Sequence, residues 1–120
     1  MPGEDLGPDE NAGAVNLLAG SAGGPGGGRL LLQANPEDRD GFGSAIAGGT
    51  VPLDFDGNGR SDLAVGAPTE TVGTGAGGAG AVSLYPASGG RVLAPGPVLT
   101  QGGGLAGTPE VADLAGAALA

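Results

Sequence analysis

The chain has 120 residues, enough for one small domain, and 29 of them are glycine and 10 are proline. It is 39% hydrophobic and 14% charged, more apolar than a typical disordered chain, so we predict an all-β chain with many tight turns. Without His, Cys or Lys it lacks the groups for histidine triads, thiol nucleophiles, Schiff bases, disulfides and Cys/His zinc sites. The net charge of −9 disfavours nucleic acid and anionic membranes and suits a hard cation such as Ca²⁺.

Short strand-like segments separated by turn residues extend along the whole chain. The predicted strands are, in chain order, 14–18, 30–33, 43–47, 63–66, 81–85 and 98–101. Residues 20–28 and 69–78 are predicted to be glycine-rich loops. Residues 109–120 contain helix-friendly residues, but the internal repeat described next predicts a strand at their end. Four short strands in one repeat fit a blade of a β-propeller.

An internal repeat organises the chain. Ala12-Gly-Ala-Val15 recurs as Ala79-Gly-Ala-Val82, and further matches follow in the same order. Among them, Pro2, Glu4 and Gly7 correspond to Pro68, Glu70 and Gly73, whereas Asp40, Gly43 and Ala47 correspond to Asp113, Gly116 and Ala120. We therefore predict the second half of a repeat and a linker in 1–39, one complete repeat in 40–107 and the start of another in 108–120. This phase indicates a fragment of a longer repeat protein.

The strongest chemical signal is the acidic loop that runs from Asp54 to Asp62. Side-chain oxygens occur at Asp54, Asp56, Asn58 and Asp62, the backbone carbonyl of Arg60 can add another, and glycine permits the sharp turn between them. Three carboxylates and an amide oxygen favour Ca²⁺ over zinc or copper. The alternative is an Asx-rich turn that binds nothing.

Two kinds of metal loop are compatible with these spacings. A helical EF-hand or dockerin-type loop needs a glutamate where this chain has Val65, and a helix after the loop. The sequence instead continues as Leu63-Ala-Val-Gly-Ala-Pro68, which is strand-like and ends at a proline. We therefore predict that the loop connects two strands of a β-hairpin.

Three sequence elements surround the acidic loop in a specific order and spacing. They are Phe42-Gly43 before it, Leu63-Ala-Val-Gly-Ala-Pro68 directly after it, and Gly80-Ala-Val-Ser-Leu-Tyr85 further on. This series resembles the FG-GAP repeat, which builds the β-propellers of integrin α chains and of many bacterial secreted proteins. The resemblance covers residues 40–107 well. It extends less completely to residues 2–24 and to residues 113–120, where Ala115-Gly116 stands in place of the family's Phe-Gly.

The resemblance implies an incomplete β-propeller, with about one full four-stranded blade and parts of its two neighbours. A structural calcium ion would sit in the loop between the first two strands of the blade. By this mapping its ligands are Asp54, Asp56, Asn58, the carbonyl of Arg60, and Asp62. Phe42 would pack between blades, Pro68 would end the second strand, and loop 69–78 would lie on the partner-binding face.

The resemblance further implies a non-enzymatic module for extracellular or cell-surface binding or adhesion. Its expected partners are a protein or carbohydrate ligand and further propeller blades, without nucleic acid and without membrane insertion. The residues after Met1 show no signal-peptide pattern. One alternative is an accessory propeller module of a secreted hydrolase whose catalytic domain lies outside this chain. Another is a truncated, largely unfolded piece, because many glycines and few aromatic residues leave little apolar area to offset the conformational entropy.

Overall fold

The structure is a computed structural model that describes residues 1–19, 22–48, 54–88, 92–93 and 95–119, and all regular elements within these ranges are β-strands. The strands are β1 (Val15–Ala19), β2 (Gly26–Leu31), β3 (Ala45–Ala47), β4 (Leu63–Ala67), β5 (Ala81–Tyr85), β6 (Ala87–Ser88), β7 (Val92–Leu93), β8 (Val98–Gln101) and β9 (Gly104–Leu105). The prediction of an all-β chain is confirmed. None of the described residues belongs to a helix with the length and apolarity needed to cross a membrane.

Strands β3, β4, β5 and β8 form an antiparallel sheet in that spatial order, and β9 adds to β8 in parallel. Val65 of β4 lies between Ile46 of β3 and Ser83 of β5, so the central strands pair on both sides. This arrangement is the four-stranded blade predicted for the complete repeat. The acidic loop lies between the antiparallel strands β3 and β4, as predicted for a hairpin connection, and β4 begins directly after Asp62.

Strands β1 and β2 form a separate antiparallel hairpin before the blade. Its second strand begins at Gly26 and ends at Leu31, whereas the sequence predicted residues 30–33 and assigned Gly26 and Gly28 to a loop. Glycine has a low strand propensity, but pairing with β1 overrides it here, because Ala19 lies opposite Gly26 and Leu17 opposite Arg29. Residues 20 and 21 of that predicted loop lie outside the described residues.

The strand predicted at the end of 109–120 is not formed over residues 116–119, and Ala120 lies outside the described residues. Its counterpart in the complete repeat is β3, which pairs only with β4. A strand needs a hydrogen-bonding neighbour, and within the described ranges no strand pairs with residues 116–119. The C-terminal segment instead contacts the blade through a bridge between Ala115 and Gly80.

A hydrophobic core cluster lies between the hairpin and the blade. Phe42 is 0% exposed at its centre. The cluster comprises Val15 and Leu31 of the hairpin, Phe42, and Val65, Ala67 and Tyr85 of the blade. The rings of Phe42 and Tyr85 meet edge to face, with centroids 6.4 Å apart and an interplanar angle of 68°. Phe42 thus packs between the hairpin and the blade, and β4 ends directly before Pro68, as the family resemblance implied.

Equivalent residues of successive repeats make the same backbone hydrogen bonds. The N–H of Phe42 donates to the carbonyl oxygen of Ala12 at 2.9 Å, and the N–H of Ala115 donates to that of Ala79 at 2.8 Å. Phe42 and Ala115 occupy the same position of the repeat, as do Ala12 and Ala79. The contact between the hairpin and the blade therefore recurs between the blade and the C-terminal segment.

Glycine is required at both of these contacts. Gly13 and Gly80 have φ angles of 93° and 87°, a region that side chains other than glycine rarely adopt. A Cβ atom at Gly13 would collide with the carbonyl oxygen of Phe42, and one at Gly80 would collide with that of Ala115. The backbones of successive repeats therefore approach so closely that no side chain fits between them.

Candidate metal centre

The acidic loop brings three predicted ligands together. Asp54, Asp56 and Asp62 each offer a carboxylate oxygen, and these oxygens all lie within 4.8 Å of one another. Asp62 is 2% exposed, whereas Asp56 is exposed and Asp54 is half-buried. The three carboxylates form the hard, anionic donor set that Ca²⁺ prefers.

Asp62 holds the loop against the blade. Its Oδ2 accepts the backbone N–H of Phe55 at 2.7 Å, and its Oδ1 accepts that of Ala87 at 2.8 Å. Ala87 is the first residue of β6, so one buried carboxylate connects the loop with the chain that follows β5. A buried carboxylate needs such donors, because without them its desolvation is uncompensated.

Asp54 is stabilised by amides of its own loop. Its Oδ2 accepts the N–H of Gly59 at 2.8 Å, and its Oδ1 accepts the N–H of Asn58 at 3.0 Å. The hydrogen bond from Gly59 is the largest of the effects that hold the pKa of Asp54 below its usual value. Asp54 is therefore ionised at neutral pH. The same amide contacts also occur in an Asx-rich turn without a metal, so this alternative stays open.

The remaining two predicted ligands are placed differently. The Nδ2 of Asn58 donates to Oδ2 of Asp56 at 2.9 Å and to the carbonyl oxygen of Ala87 at 2.8 Å, and its Oδ1 accepts the N–H of Arg60 at 2.9 Å. The amide nitrogen of Asn58 therefore faces the carboxylates, and its oxygen must turn towards them before it can ligate a cation. The contact described for Arg60 involves its N–H, and the ligand role of its carbonyl stays a prediction.

A second acidic group, which the sequence did not reveal, lies beside the contact between hairpin and blade. Glu37, Asp40 and Glu70 each offer a carboxylate oxygen, again within 4.8 Å of one another. The side chain of Gln33 joins them, because its Nε2 donates to Oε2 of Glu70. We call Gln33, Glu37, Asp40 and Glu70 the junction cluster. The sequence signals were the repeat matches of Asp40 with Asp113 and of Glu70 with Glu4, and neither match linked Asp40 to Glu70.

Several oxygens of the junction cluster are buried with incomplete hydrogen bonding. Oδ2 of Asp40 accepts the N–H of Glu37 at 2.6 Å. Oδ1 of Asp40 and Oε1 of Gln33 are both buried and have no hydrogen-bond partner within the described portion of the chain. Native proteins leave few buried polar atoms in this condition.

The carboxylates of the junction cluster repel one another. Burial raises the pKa of Asp40, and burial together with the nearby charge of Asp40 raises the pKa of Glu70 from 4.5 to about 7. With both groups ionised, the folded state holds like charges close together. Protonation of Glu70 relieves this repulsion.

Stability in metal-free buffer is therefore expected to fall as the pH rises from about 4.5 to about 7. In this window folded Glu70 retains a proton that the unfolded chain releases, because its folded pKa of about 7 lies above its usual 4.5. The midpoint of thermal unfolding in EDTA, followed by circular dichroism, should decrease across this range. Glu70→Gln should flatten the decrease, whereas Glu4→Gln, at the equivalent exposed position of the preceding repeat, should not. If the unfolding midpoint falls equally steeply with pH in Glu70→Gln and in Glu4→Gln, Glu70 is not the group that causes the decrease.

A four-stranded antiparallel blade with an acidic loop between its first two strands is a β-propeller-type module. Residues 42–85 match the model of the FG-GAP repeat family. The match begins at Phe42, includes the acidic loop and ends at Tyr85. The rings of Phe42 and Tyr85 meet in the core. Neither the curated proteins nor the solved structures contain a match to the chain.

Proposed function

We propose that the chain is a non-enzymatic, calcium-stabilised segment of a β-propeller that serves extracellular or cell-surface binding or adhesion. The observation that carries this proposal is the convergence of Asp54, Asp56 and Asp62 in the acidic loop of an FG-GAP repeat. FG-GAP repeats are generally non-catalytic modules that often bind Ca²⁺, and the family is typically extracellular.

The residues of the loop fit a calcium ion. Asp54, Asp56 and Asp62 would supply the carboxylates. Asn58, once its oxygen turns towards them, and the carbonyl of Arg60 would complete the set. A bound ion would neutralise the three neighbouring carboxylates and thereby stiffen the loop. Asp62 would carry that rigidity to β6 through its hydrogen bond with Ala87.

Further propeller blades are the proposed partners within the parent protein. One face of the blade is covered by the hairpin, and the opposite face has an apolar cavity of about 240 Å³. The cavity is lined by Ala47, Phe55, Ala64, Val82, Leu84, Leu99, Leu105 and Leu119. Val82 is the repeat equivalent of Val15, which lies in the packed cluster on the covered side. This opposite face, where Leu119 of the C-terminal segment helps to line the cavity, thus suits another repeat, which supports the division of the chain into successive repeats at 1–39, 40–107 and 108–120.

The ligand of the parent protein is proposed to be a protein or a carbohydrate that contacts the loop face of the propeller. Loop 69–78 lies between β4 and β5 and carries Glu70 as its one charged residue. Since Glu70 is engaged in the junction cluster, this loop offers few groups for recognition. Ligand contacts are therefore expected mainly on other repeats.

The test is a calcium titration of the ¹⁵N-labelled chain, with the amide signals of Gly57 and Gly59 as reporters of the acidic loop. These signals should shift at calcium concentrations of about 0.1–1 mM, the range of extracellular calcium modules. Asp56→Asn should weaken the response of the loop about tenfold or more, because it removes an exposed anionic ligand. Asp5→Asn is the matched control. Its exposed carboxylate accepts the N–H of Asn11, which an asparagine oxygen also accepts.

Two results would overturn the proposal. One is an acidic loop whose amide signals do not respond to about 10 mM CaCl₂, which would establish the Asx-rich turn instead. The other is an equal affinity in Asp56→Asn and Asp5→Asn, which would remove Asp56 from the site.

A further inference from the structure

We propose that the junction cluster is a second binding site for a hard divalent cation such as Ca²⁺, distinct from the acidic loop and placed where one repeat meets the next. Glu37, Asp40 and Glu70 provide three carboxylate oxygens within 4.8 Å of one another. The amide of Gln33 adjoins Glu70 through its Nε2, and its buried Oε1 could join the carboxylates as a ligand once the amide turns. The site would hold its ion by oxygen atoms alone, the chemistry of calcium rather than of zinc.

The unpaired oxygens point to a ligand independently of the carboxylate count. Asp40 is 1% exposed, and with Glu70 ionised its Oδ1 has no hydrogen-bond donor among the described residues. Oε1 of Gln33 is buried in the same way. Both atoms are pure acceptors, and so are the neighbouring ionised carboxylates, which leaves the cluster with excess negative potential and few donors. A cation satisfies several such acceptors at once.

The position of the cluster gives the ion a structural task. Gln33 follows β2 of the hairpin, Glu37 and Asp40 lie in the turn before β3, and Glu70 lies after β4 of the blade. These segments come from two successive repeats in the predicted division. An ion bound by all of them would cross-link the repeats next to the Phe42 cluster.

The same arrangement begins again one repeat later. The N–H of Glu110 donates to Oδ2 of Asp113 at 2.9 Å, as the N–H of Glu37 does within the junction cluster. Oε1 of Gln101, at the end of β8, is buried and has no hydrogen-bond partner among the described residues. The same holds for Oε1 of Gln33, at the end of the hairpin. The position equivalent to Glu70 would follow Ala120. The recurrence indicates that the cluster belongs to the repeat unit.

The charge balance also favours an ion. Burial and neighbouring carboxylates raise the pKa of Glu70 and of Asp40, so the ionised cluster is unfavourable on its own. A proton or a cation can relieve this repulsion. At a pH above the pKa of Glu70 the cation is the more effective of the two, and the test is therefore made at about pH 8.

The experiment uses the full chain carrying Asp56→Asn, which weakens the acidic loop, and adds CaCl₂ in place of an unidentified ligand. We expect the side-chain NH₂ signals of Gln33 and the amide signal of Glu70 to shift and saturate, and the midpoint of thermal unfolding to rise. Adding Glu70→Gln should weaken this response about tenfold or more. Adding Glu4→Gln, the same change at the equivalent position of the preceding repeat, should leave it within about twofold.

A second variant guards against a folding defect in the first. Asp40→Asn keeps an oxygen for the N–H of Glu37 but removes the buried charge, and it should also weaken the calcium response of Gln33. The proposal is overturned if Gln33 and Glu70 do not respond to about 10 mM CaCl₂, which would identify a pair of carboxyl groups that shares a proton. The proposal is also overturned if the variants carrying Glu70→Gln and Glu4→Gln bind calcium at the junction cluster with equal affinity. Because Gly57 and Gly59 report the acidic loop separately, failure at either site is recognised without reference to the other.

Discussion

Replacing Phe42 by alanine is expected to lower the free energy of unfolding by about 3–5 kcal/mol. The side chain is 0% exposed and belongs to the core cluster that hairpin and blade build together, so its removal opens a cavity in that cluster. It also removes the edge-to-face contact with Tyr85, whose hydroxyl donates to the carbonyl oxygen of Leu32 at 3.4 Å. A domain of this size is only marginally stable, so most of the variant should be unfolded.

Urea denaturation followed by circular dichroism measures this effect, and the chain supplies its own control. Phe55→Ala removes the other phenylalanine, which is 48% exposed, and should cost far less. The expectation fails if the two variants have the same urea midpoint. A wild-type chain without a cooperative transition would also contradict it, and would support the largely unfolded piece considered from the sequence.

Replacing Asp62 by alanine is expected to destabilise the chain even in EDTA. The change leaves the amides of Phe55 and Ala87 without their acceptor, at a cost of at most about 1–3 kcal/mol for each of these part-buried hydrogen bonds. Added calcium should widen the gap between variant and wild type, because the variant has also lost a ligand. Asp62 would thus be a structural residue and a metal ligand at once.

Asp56→Ala separates these two roles. Asp56 is exposed, and its carboxylate accepts hydrogen bonds from the N–H and the Nδ2 of Asn58, so its loss should change the stability in EDTA by less than about 0.5 kcal/mol. In calcium it should lose the stabilisation that the ion confers on the wild type. Thermal unfolding of both variants with and without CaCl₂ decides the matter. If Asp62→Ala and Asp56→Ala lose equal stability in EDTA, Asp62 does not connect the loop with β6 as described.

Local patterns predicted most of the blade. Alternating apolar residues around Val65 and Val82 located β4 and β5, and Pro68, which cannot continue a central strand, marked the end of β4. The spacing of oxygen-bearing residues located the acidic loop between two strands. These features depend on neighbours in the sequence, and a single chain displays them directly.

What the sequence did not predict depends on contacts between distant segments. Gly26 and Gly28 belong to β2 because this strand pairs with β1, although glycine itself has a low strand propensity. Asp40 and Glu70 meet only when the loop after β4 returns to the turn before β3, and no local pattern indicates that approach. The amide orientation of Asn58 is likewise set by Ala87, which lies far along the chain.

The recurring backbone contact between repeats has a consequence for how such sequences diverge. Phe42 and Ala115 differ greatly in size, yet each makes the same N–H bond, and each lies against a glycine that leaves no space for a side chain. The spacing between repeats is therefore specified by the main chain and by Gly13 and Gly80, whereas the side chain at the equivalent position contributes core packing that differs between repeats. A change from phenylalanine to alanine then costs packing energy, as expected for Phe42, without altering the main-chain contact itself. Ancestral repeats in chains of this kind are better traced by their paired glycines than by their aromatic residues.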